Sequence, residues 1–478
     1  MYFNRSIDRI CLFFILLPLL MCSPVKEEIE KIDDKDAYVQ VSEENPAYFD
    51  LSNGSTYIPN GFNLVNPPEE DELEEVVRTM AENRINYCRV WLGLQLWDIE
   101  HEKSGVYDEE KAKILDRFLE LCYANGIKVK MCLEYFRDCP AERNRWSDKI
   151  IHNVANGGYY ESMEEFIDSE KGHEQFKRKL KFYQERYGDR PEIFAWELWN
   201  EVNCVKGDYL TWTKIMLPEL HMLFPKNMAV QSLGSYDYEG YREEMYRPMC
   251  LLETNDVAQV HRYLDLGARW EVCHGPADVL AAEAVREILN FNTGKPVVLA
   301  ETGAVKPRHT GYSEIYDLDT VGVLNHDQLF APFFAGAAGT GNAWWWRQSI
   351  DKFDQWYLFD RFAEAVKGID PVKERFEPLM IPHEELRIYA LKGNNTLIAW
   401  CKDINNDWRT EFEKGQKPEL LEELSVDLNG YIPDKTIDNS QAYDPWTDTW
   451  STQEINDGRM SLPTFKRSIV FKLEFQNK

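Results

Sequence analysis

The sequence predicts an α/β fold, a closed (β/α)8 TIM barrel followed by a C-terminal all-β sandwich. Three observations carry this. Eight short apolar runs alternate with amphipathic helical stretches between about residues 55 and 370. Several of the runs are apolar almost throughout, as strands buried on both faces of a parallel sheet are. After about residue 372 the helical pattern stops and period-two alternation takes over.

In chain order the strand candidates are TYIPNGFN, NYCRVWLG, IKVKMCLEYF, IFAWELWNE, NMAVQSLG, DVAQVHRY, KPVVLAETG and GNAWWW. Helical patterns lie between them. DELEEVVRTMAENR places Leu73, Val76, Val77 and Met80 on one face, and KAKILDRFLELCYANG closes on Gly126, where a helix stop belongs. Eight βα units favour a closed barrel over an open doubly wound sheet. No glycine-rich phosphate loop stands at a strand–helix junction to suggest a nucleotide fold. Residues 137–172 form a long excursion after the third strand, and its NGGYY suits a cleft wall. LRIYALKG, TLIAWCKD and SIVFKLEF then read as sandwich strands. The expected domains are 46–371 for the barrel and 372–478 for the sandwich, which is read as capping the barrel.

Ahead of these lie two segments of other character. Arg5 and Arg9 precede the apolar run ICLFFILLPLLM, too short to span a bilayer and suited to a signal peptide over 1–22. LLMCS resembles a lipoprotein cleavage box, so Cys22 is the expected lipidation site, with simple secretion and then a non-cleaved anchor as the alternatives. Residues 23–45, rich in Glu and Asp, read as a solvated acidic tether. The expected location is a bacterial cell envelope, with the lipid anchor as the membrane contact. The net charge of −28 argues against a nucleic-acid partner, which would require basic surface. The cysteines are scattered singly and read as buried free thiols. No cluster has metal-ligand spacing, so no metal and no cofactor are expected. A monomer is expected.

The stretch FAWELWNEV, residues 194–202, carries two carboxylates inside an apolar strand. Burying an ionised carboxylate without a partner is costly, so packing alone does not explain them. Strand alternation puts Glu197, Trp199 and Glu201 on one side, with Glu201 at the C-terminal rim of the barrel and Glu197 a layer deeper. PVVLAETG places Glu301 at the end of the seventh strand, across the mouth. Two carboxylates facing across a cleft suit glycosidic bond cleavage, one protonating the leaving oxygen and the other attacking or activating water.

RYGDRPEIFAWELWNEV and KPVVLAETG resemble the acid/base and nucleophile strands of the retaining clan A glycoside hydrolases, closest to family 5, the cellulase and β-mannanase family. The likeness covers about residues 55–370. It implies that Glu201 is the general acid/base, Glu301 the nucleophile, and Asn200 a ligand of the sugar 2-hydroxyl. Arg89, in CRVW, matches the arginine that holds the nucleophile ionised. His261 and Tyr263 match the H-x-Y of the sixth strand, the tyrosine reaching the nucleophile. Trp346, or failing that Trp344, matches the aromatic floor under the sugar, leaving Trp345 to the core. Asn63, Trp97 and Tyr135 stand between sugar contacts and rim packing, with Asn63 counted among the substrate-binding residues. Glu197 is read first as a buried partner of Arg89 or another barrel cation. Val202 and Thr302-Gly303 depart from residues common in the family, as does Glu134-Tyr135 where many relatives carry a histidine.

The resulting expectation is a retaining β-glycosidase acting on mannan- or glucan-type poly- or oligosaccharides. The alternatives are a non-catalytic glycan-binding barrel and a transglycosylase using the same carboxylates. In the expected mechanism Arg89 holds Glu301 low, while Trp196 or Trp199 and the anionic partner keep Glu201 high.

Overall fold

The computed structural model describes residues 32–135, 150–433 and 435–476. Cys22 and the leader lie outside the described residues, as do residues 136–149 of the excursion. Among the described residues no helix is long and apolar enough to cross a membrane.

Residues from Asp33 onward form one compact unit. It opens with a small antiparallel sheet, β1 (Val39–Val41), β2 (Phe49–Leu51) and β3 (Thr56–Tyr57). The acidic-tether reading of 23–45 is therefore corrected for its second half. Ala37 and Val39 are fully buried, and buried Lys128 donates to the carbonyls of Lys35 and Ala37. Acidic composition conceals the alternating triplet Val39-Gln40-Val41, whose two valines turn inward and whose Gln40 is exposed. Phe49 and Tyr57 pack on Phe194, and Phe194 on Tyr87, at the start of two barrel strands, so this sheet plugs the N-terminal end of the barrel.

The barrel strands follow. β4 (Gly61–Asn63), β5 (Tyr87–Trp91), β6 (Lys128–Cys132), β7 (Ile193–Glu197) and β8 (Met228–Val230) form one parallel sheet. β9 (Ala258–Leu264) and β10 (Val297–Ala304) form a parallel pair. At the seam between β8 and β9, side chains supplement the ladder: Asp256 Oδ2 accepts from Ala229 N and Asn255 Oδ1 from Gln231 N. The eighth strand shrinks to Ala343, which bridges Phe62 of β4 and Thr302 of β10 and closes the barrel. A Cβ on Gly61 would lie 1.8 Å from the Tyr87 carbonyl oxygen, so only glycine lets β4 approach β5 this closely.

The covering helices are α1 (Leu73–Glu82), α2 (Glu109–Ala124), α3 (Met163–Asp168), α4 (Glu170–Tyr187), α5 (Tyr209–Leu223), α6 (Arg247–Cys250), α7 (Ala277–Leu289), α8 (Val323–Phe334), α9 (Tyr357–Ala365) and α10 (Pro371–Glu374). Side-chain caps fix several starts: Asp108 accepts from the Glu110 and Lys111 amides, and Ser169 from Gly172. Of NGGYY, Tyr160 is buried in the core and Tyr159 is exposed.

The C-terminal part is antiparallel. β11 (Glu377–Ile381), β12 (Leu386–Lys392), β13 (Thr396–Asp403), β14 (Ser425–Asp427), β15 (Thr436–Asp444), β16 (Thr449–Thr452), β17 (Ile455–Asn456), β18 (Arg459–Ser461) and β19 (Ser468–Gln476) form a sheet ordered β11-β12-β13-β19-β15-β16 and a smaller one ordered β14-β18-β17. Alternation on β12 and β13 explains the layering. Ile388, Ala390, Leu397, Ala399 and Cys401 face the second sheet, whereas Tyr389, Leu391, Ile398 and Trp400 join the barrel's core. The described cysteines are unpaired, and all but Cys204 are buried.

Candidate active site

The site is built around Arg89, whose side chain is fully buried inside the barrel. On β5 it shares the inward face with Trp91. Its Nε and Nη2 bond both oxygens of Glu197, at 2.7 and 2.9 Å. Nη1 reaches Glu301 Oε1 at 2.5 Å and Asn63 Oδ1 at 3.2 Å, and Nη2 also reaches Asn200 Oδ1 at 2.7 Å. A guanidinium suits this position because it carries five donors in a fixed plane.

Glu197 is thereby spent on structure, with Lys130 Nζ a further 3.3 Å from its Oε2. The two cations offset its burial and hold its carboxyl down at about 2. Burial drives Lys130 the other way, to about 8.

Glu301 ends its apolar run on β10. Its Oε2 accepts from the Tyr263 hydroxyl at 2.8 Å. Glu201 stands beyond the end of β7 in a left-handed backbone conformation, φ +52°. Its amide donates to Ser232 Oγ, His261 Nδ1 lies 2.9 Å from Oε1, and the Cys204 thiol lies 3.7 Å from Oε2. His261 Nδ1 is also 3.4 Å from Glu301 Oε2. One oxygen of each glutamate and a ring nitrogen of His261 all lie within 4.8 Å of one another.

Burial pushes the Glu201 carboxyl well up, and the negative charge of Glu301 adds to the effect. Burial also raises Glu301, against the opposing pull of Arg89 and the Tyr263 hydroxyl. The expectation that Glu301 would titrate low is thus corrected: desolvation outweighs Arg89, whose charge is shared with Glu197. Glu201 remains the later of the two to ionise. His261 is driven well down by burial and by Arg89, so its imidazole is neutral.

Several sequence-predicted residues sit differently from expectation. Strand geometry ends at Glu197, so Trp199 does not share the barrel-facing side with Glu201. It packs on Phe176 of α4 and Trp212 of α5. Trp196 packs on Phe224 and Tyr183, so neither indole surrounds Glu201. Asn63 is buried and uses its amide nitrogen on the carbonyls of Ala300 and Asn342, which makes it a support for Arg89 and not a sugar ligand. Arg89 likewise has no donor left for substrate. Trp346 is corrected as a platform: it begins a helical turn just past Ala343, is buried against Phe62 and Trp356, and donates to the Asn66 carbonyl. Trp344 and Trp345 are both half-buried, Trp344 packed 5.1 Å from Trp91 and Trp345, expected in the core, 5.6 Å from Tyr312. Trp91 ends β5, Tyr135 and Trp344 lie just beyond strand ends, and the three cluster around the mouth. Trp97 packs on Phe118 in the core.

Sequence reasoning misses Trp91, although its strand parity with Arg89 is a signal that could find it. Cys204 and Ser232, which hold Glu201, carry no such signal, because their contacts arise from a turn.

Two groups among the described residues have metal-ligand proximity. One is Glu201, His261 and Glu301. The other is Glu100, Glu134 and His152, where the Lys179 ammonium lies 3.1 and 2.8 Å from the two carboxylates.

The family described as Cellulase (glycosyl hydrolase family 5) matches residues 51–327, more than half of the 478 residues. The chain belongs to glycosyl hydrolase family 5. Mannan endo-1,4-beta-mannosidase 3 of Oryza sativa subsp. japonica is 25% identical over 394 residues, covering 73% of this chain and 78% of that protein. Mannan endo-1,4-beta-mannosidase 3 of Arabidopsis thaliana is 23% identical over 394 residues, covering 70% and 87%. A crystal structure of a glycoside hydrolase family 5 protein from Bacteroides vulgatus ATCC 8482 superposes with a TM-score of 0.57 at 13% identity, covering 92% of this chain and 94% of that one. That likeness bears on the fold. As a family 5 member the protein is a retaining glycoside hydrolase with the barrel and sandwich described above.

Proposed function

We propose that this family 5 enzyme cleaves β-1,4-linked mannan-type backbones, with Glu301 as nucleophile and Glu201 as general acid/base. The observation that carries the mechanism is the close approach of the two carboxylates, within 4.8 Å oxygen to oxygen, with Arg89 and Tyr263 bonded to Glu301. Retaining enzymes need carboxyls about 5–5.5 Å apart, whereas inverting ones leave room for a water between them. The names of the curated relatives support mannan as substrate.

In the first step a Glu301 oxygen attacks the anomeric carbon, and the glycosidic C–O bond breaks as Glu201 gives its proton to the leaving oxygen. In the second step Glu201, now a carboxylate, takes a proton from water. The water oxygen displaces Glu301 and restores the anomeric configuration. Tyr263 and Arg89 steady the charge that returns to Glu301. Neutral His261 fixes the orientation of Glu201 through Nδ1. The Asn200 side-chain nitrogen, Nδ2, has no partner among the described residues, which suits it to the sugar 2-hydroxyl. The Trp91–Trp344 pair offers an apolar wall for a pyranose face.

The test is hydrolysis of galactomannan, glucomannan and a soluble cellulose derivative, with the product anomer followed by NMR. A β-anomer formed first from mannan is expected. Initial inversion would overturn the mechanism, and cleavage of the glucan alone would move the substrate to cellulose.

We also infer export with a lipid on Cys22, supported by the Arg5/Arg9 pair ahead of the apolar run. The wild type should then partition into detergent with a lipid mass on its new N-terminus, and Cys22→Ala should lose both. A wild type with a free N-terminus would leave secretion.

A further inference from the structure

The loops after β8, β9 and β10 enclose an open hollow of about 800 Å³, a size common for small-ligand sites. Asp237, Tyr238, Tyr241, Arg269 and Arg308 line it. It adjoins the active site on the Glu201 side: the amide of Tyr236, next to Asp237, donates to the carbonyl of His261, whose Nδ1 lies 2.9 Å from Glu201 Oε1.

Its charge is unlike that of the molecule. The chain carries −28, yet two guanidiniums and one carboxylate line this hollow. Among the described residues neither Arg269 nor Arg308 is ion-paired. Arg269 lies over the exposed Tyr238 ring, 5.8 Å from its centroid. Asp265, whose side chain holds the two loops together, is spent on backbone. Its Oδ1 accepts from Gly267 N at 2.7 Å and Arg308 N at 2.9 Å, and its Oδ2 accepts from His309 N at 2.9 Å.

The loop that presents Arg308 is held in shape. Arg308 and His309 both have left-handed backbones, φ +63° and +56°, which non-glycine residues adopt only where surroundings compel it. Asp265 supplies that constraint, and Gly267 permits it, since a Cβ there would lie 2.4 Å from Arg308 N. The His309 ring stands edge-on to Tyr263 at 4.6 Å, tying the loop to the tyrosine bonded to Glu301.

We propose that this hollow is a subsite for a carboxylate-bearing sugar, a uronic acid residue or branch, on the leaving-group side of the cleft. Arg308 and Arg269 take the carboxylate, for which a guanidinium fork is geometrically matched. The Tyr238 ring offers a face to the pyranose. The inference rests on the reading of Glu201 as the acid, because that reading defines the leaving-group side.

The experiment is calorimetric titration of the full chain with sodium glucuronate and, in parallel, with glucose. Glucuronate should bind at least tenfold more tightly than glucose. Arg308→Gln and the Arg269→Gln/Arg308→Gln pair should each remove most of that preference, with unchanged near-UV circular dichroism. Equal affinity for the two sugars, or a preference that survives in the double variant, would overturn the proposal. The titration needs no turnover, so an enzyme inactive on mannan would refute the proposed substrate without touching this result, and the converse holds.

Discussion

Arg89 spends all five of its donors on four neighbours, Glu197, Glu301, Asn63 and Asn200. Removing it leaves two buried carboxylates poorly compensated, a change that costs about 3–5 kcal/mol in comparable buried pairs. Arg89→Met should therefore lower the melting temperature sharply. Arg89→Lys keeps the charge with fewer donors, so it should fold and report on chemistry. Losing part of the guanidinium's pull raises the Glu301 carboxyl further. Activity needs that group ionised, so the acid limb of kcat/KM should move to higher pH. An unmoved acid limb would take Glu301 off it. The stability attached to Glu197 is also lost toward acid. Its folded value of about 2 lies below the ordinary 4.5, so its contribution is full above 4.5 and drains as pH falls toward 2. The two proposed catalytic residues separate by substrate. Glu301→Ala should abolish turnover on every glycoside. Glu201→Ala should lose natural substrates, partly spare aryl glycosides with good leaving groups, and recover with azide. Two variants equally dead and unresponsive to azide would reverse that assignment. Glu201 also carries backbone strain at φ +52°. Glycine there should be more stable than alanine by up to about 1 kcal/mol, contrary to their usual order, as urea melts can measure. Strand parity makes Glu197 legible in the bare sequence, and the end of the apolar run PVVLAETG does the same for Glu301. Parity fails for Trp199 because the chain turns after Glu197, and a turn has no period to read.

At the scale of elements, the same failure explains Trp346. A run GNAWWW looks like a strand, but only Ala343 pairs, and Trp346 already belongs to a helical turn. Which of three consecutive tryptophans faces the mouth is set by where pairing stops, and three identical side chains cannot mark that point. β1 is hidden for the opposite reason, a three-residue strand in acidic surroundings whose burial comes from β2 and from the sequence-distant barrel strands β7 and β8. The close approach of β4 to β5 is likewise invisible, since a glycine inside the strand candidate TYIPNGFN does not show what comes near it. It yields a sharp test. Gly61→Ala would drive a methyl into the Tyr87 carbonyl, and overpacking that a backbone must absorb should cost about 3 kcal/mol or more. Gly275→Ala, whose methyl would reach its nearest neighbour at 3.4 Å, should be close to neutral. Comparable melting temperatures for the two variants would mean that β4 yields easily and does not set the barrel's closure.

At the scale of the whole molecule, the barrel and the sandwich share one interior. Every residue of α8 is buried, because β10 covers one side and the sandwich the other. Phe330 packs on Trp400 of β13, and His326 bonds Ser468 of β19 at 2.9 Å. Buried Lys402 lies 3.1 Å from Asp327, and Asp278 of α7 accepts two bonds from Arg387 and one from Tyr389. The sequence shows two parts with a change of periodicity near residue 372, and nothing in it shows that they are inseparable. Cutting there would expose the apolar face of α8 and strand Asp278 and Asp327 without their cations. Such surfaces are what drive association of truncated domains. The full chain should accordingly unfold in one calorimetric transition, with calorimetric and van't Hoff enthalpies equal. A chain ending at Pro371 should precipitate or lack a cooperative melt. Trp400→Ala should lower the single transition without splitting it, by about 3–5 kcal/mol. Two resolved transitions in the full chain, or a soluble truncated barrel that melts cooperatively, would show that the shared core is a docking surface between independent domains.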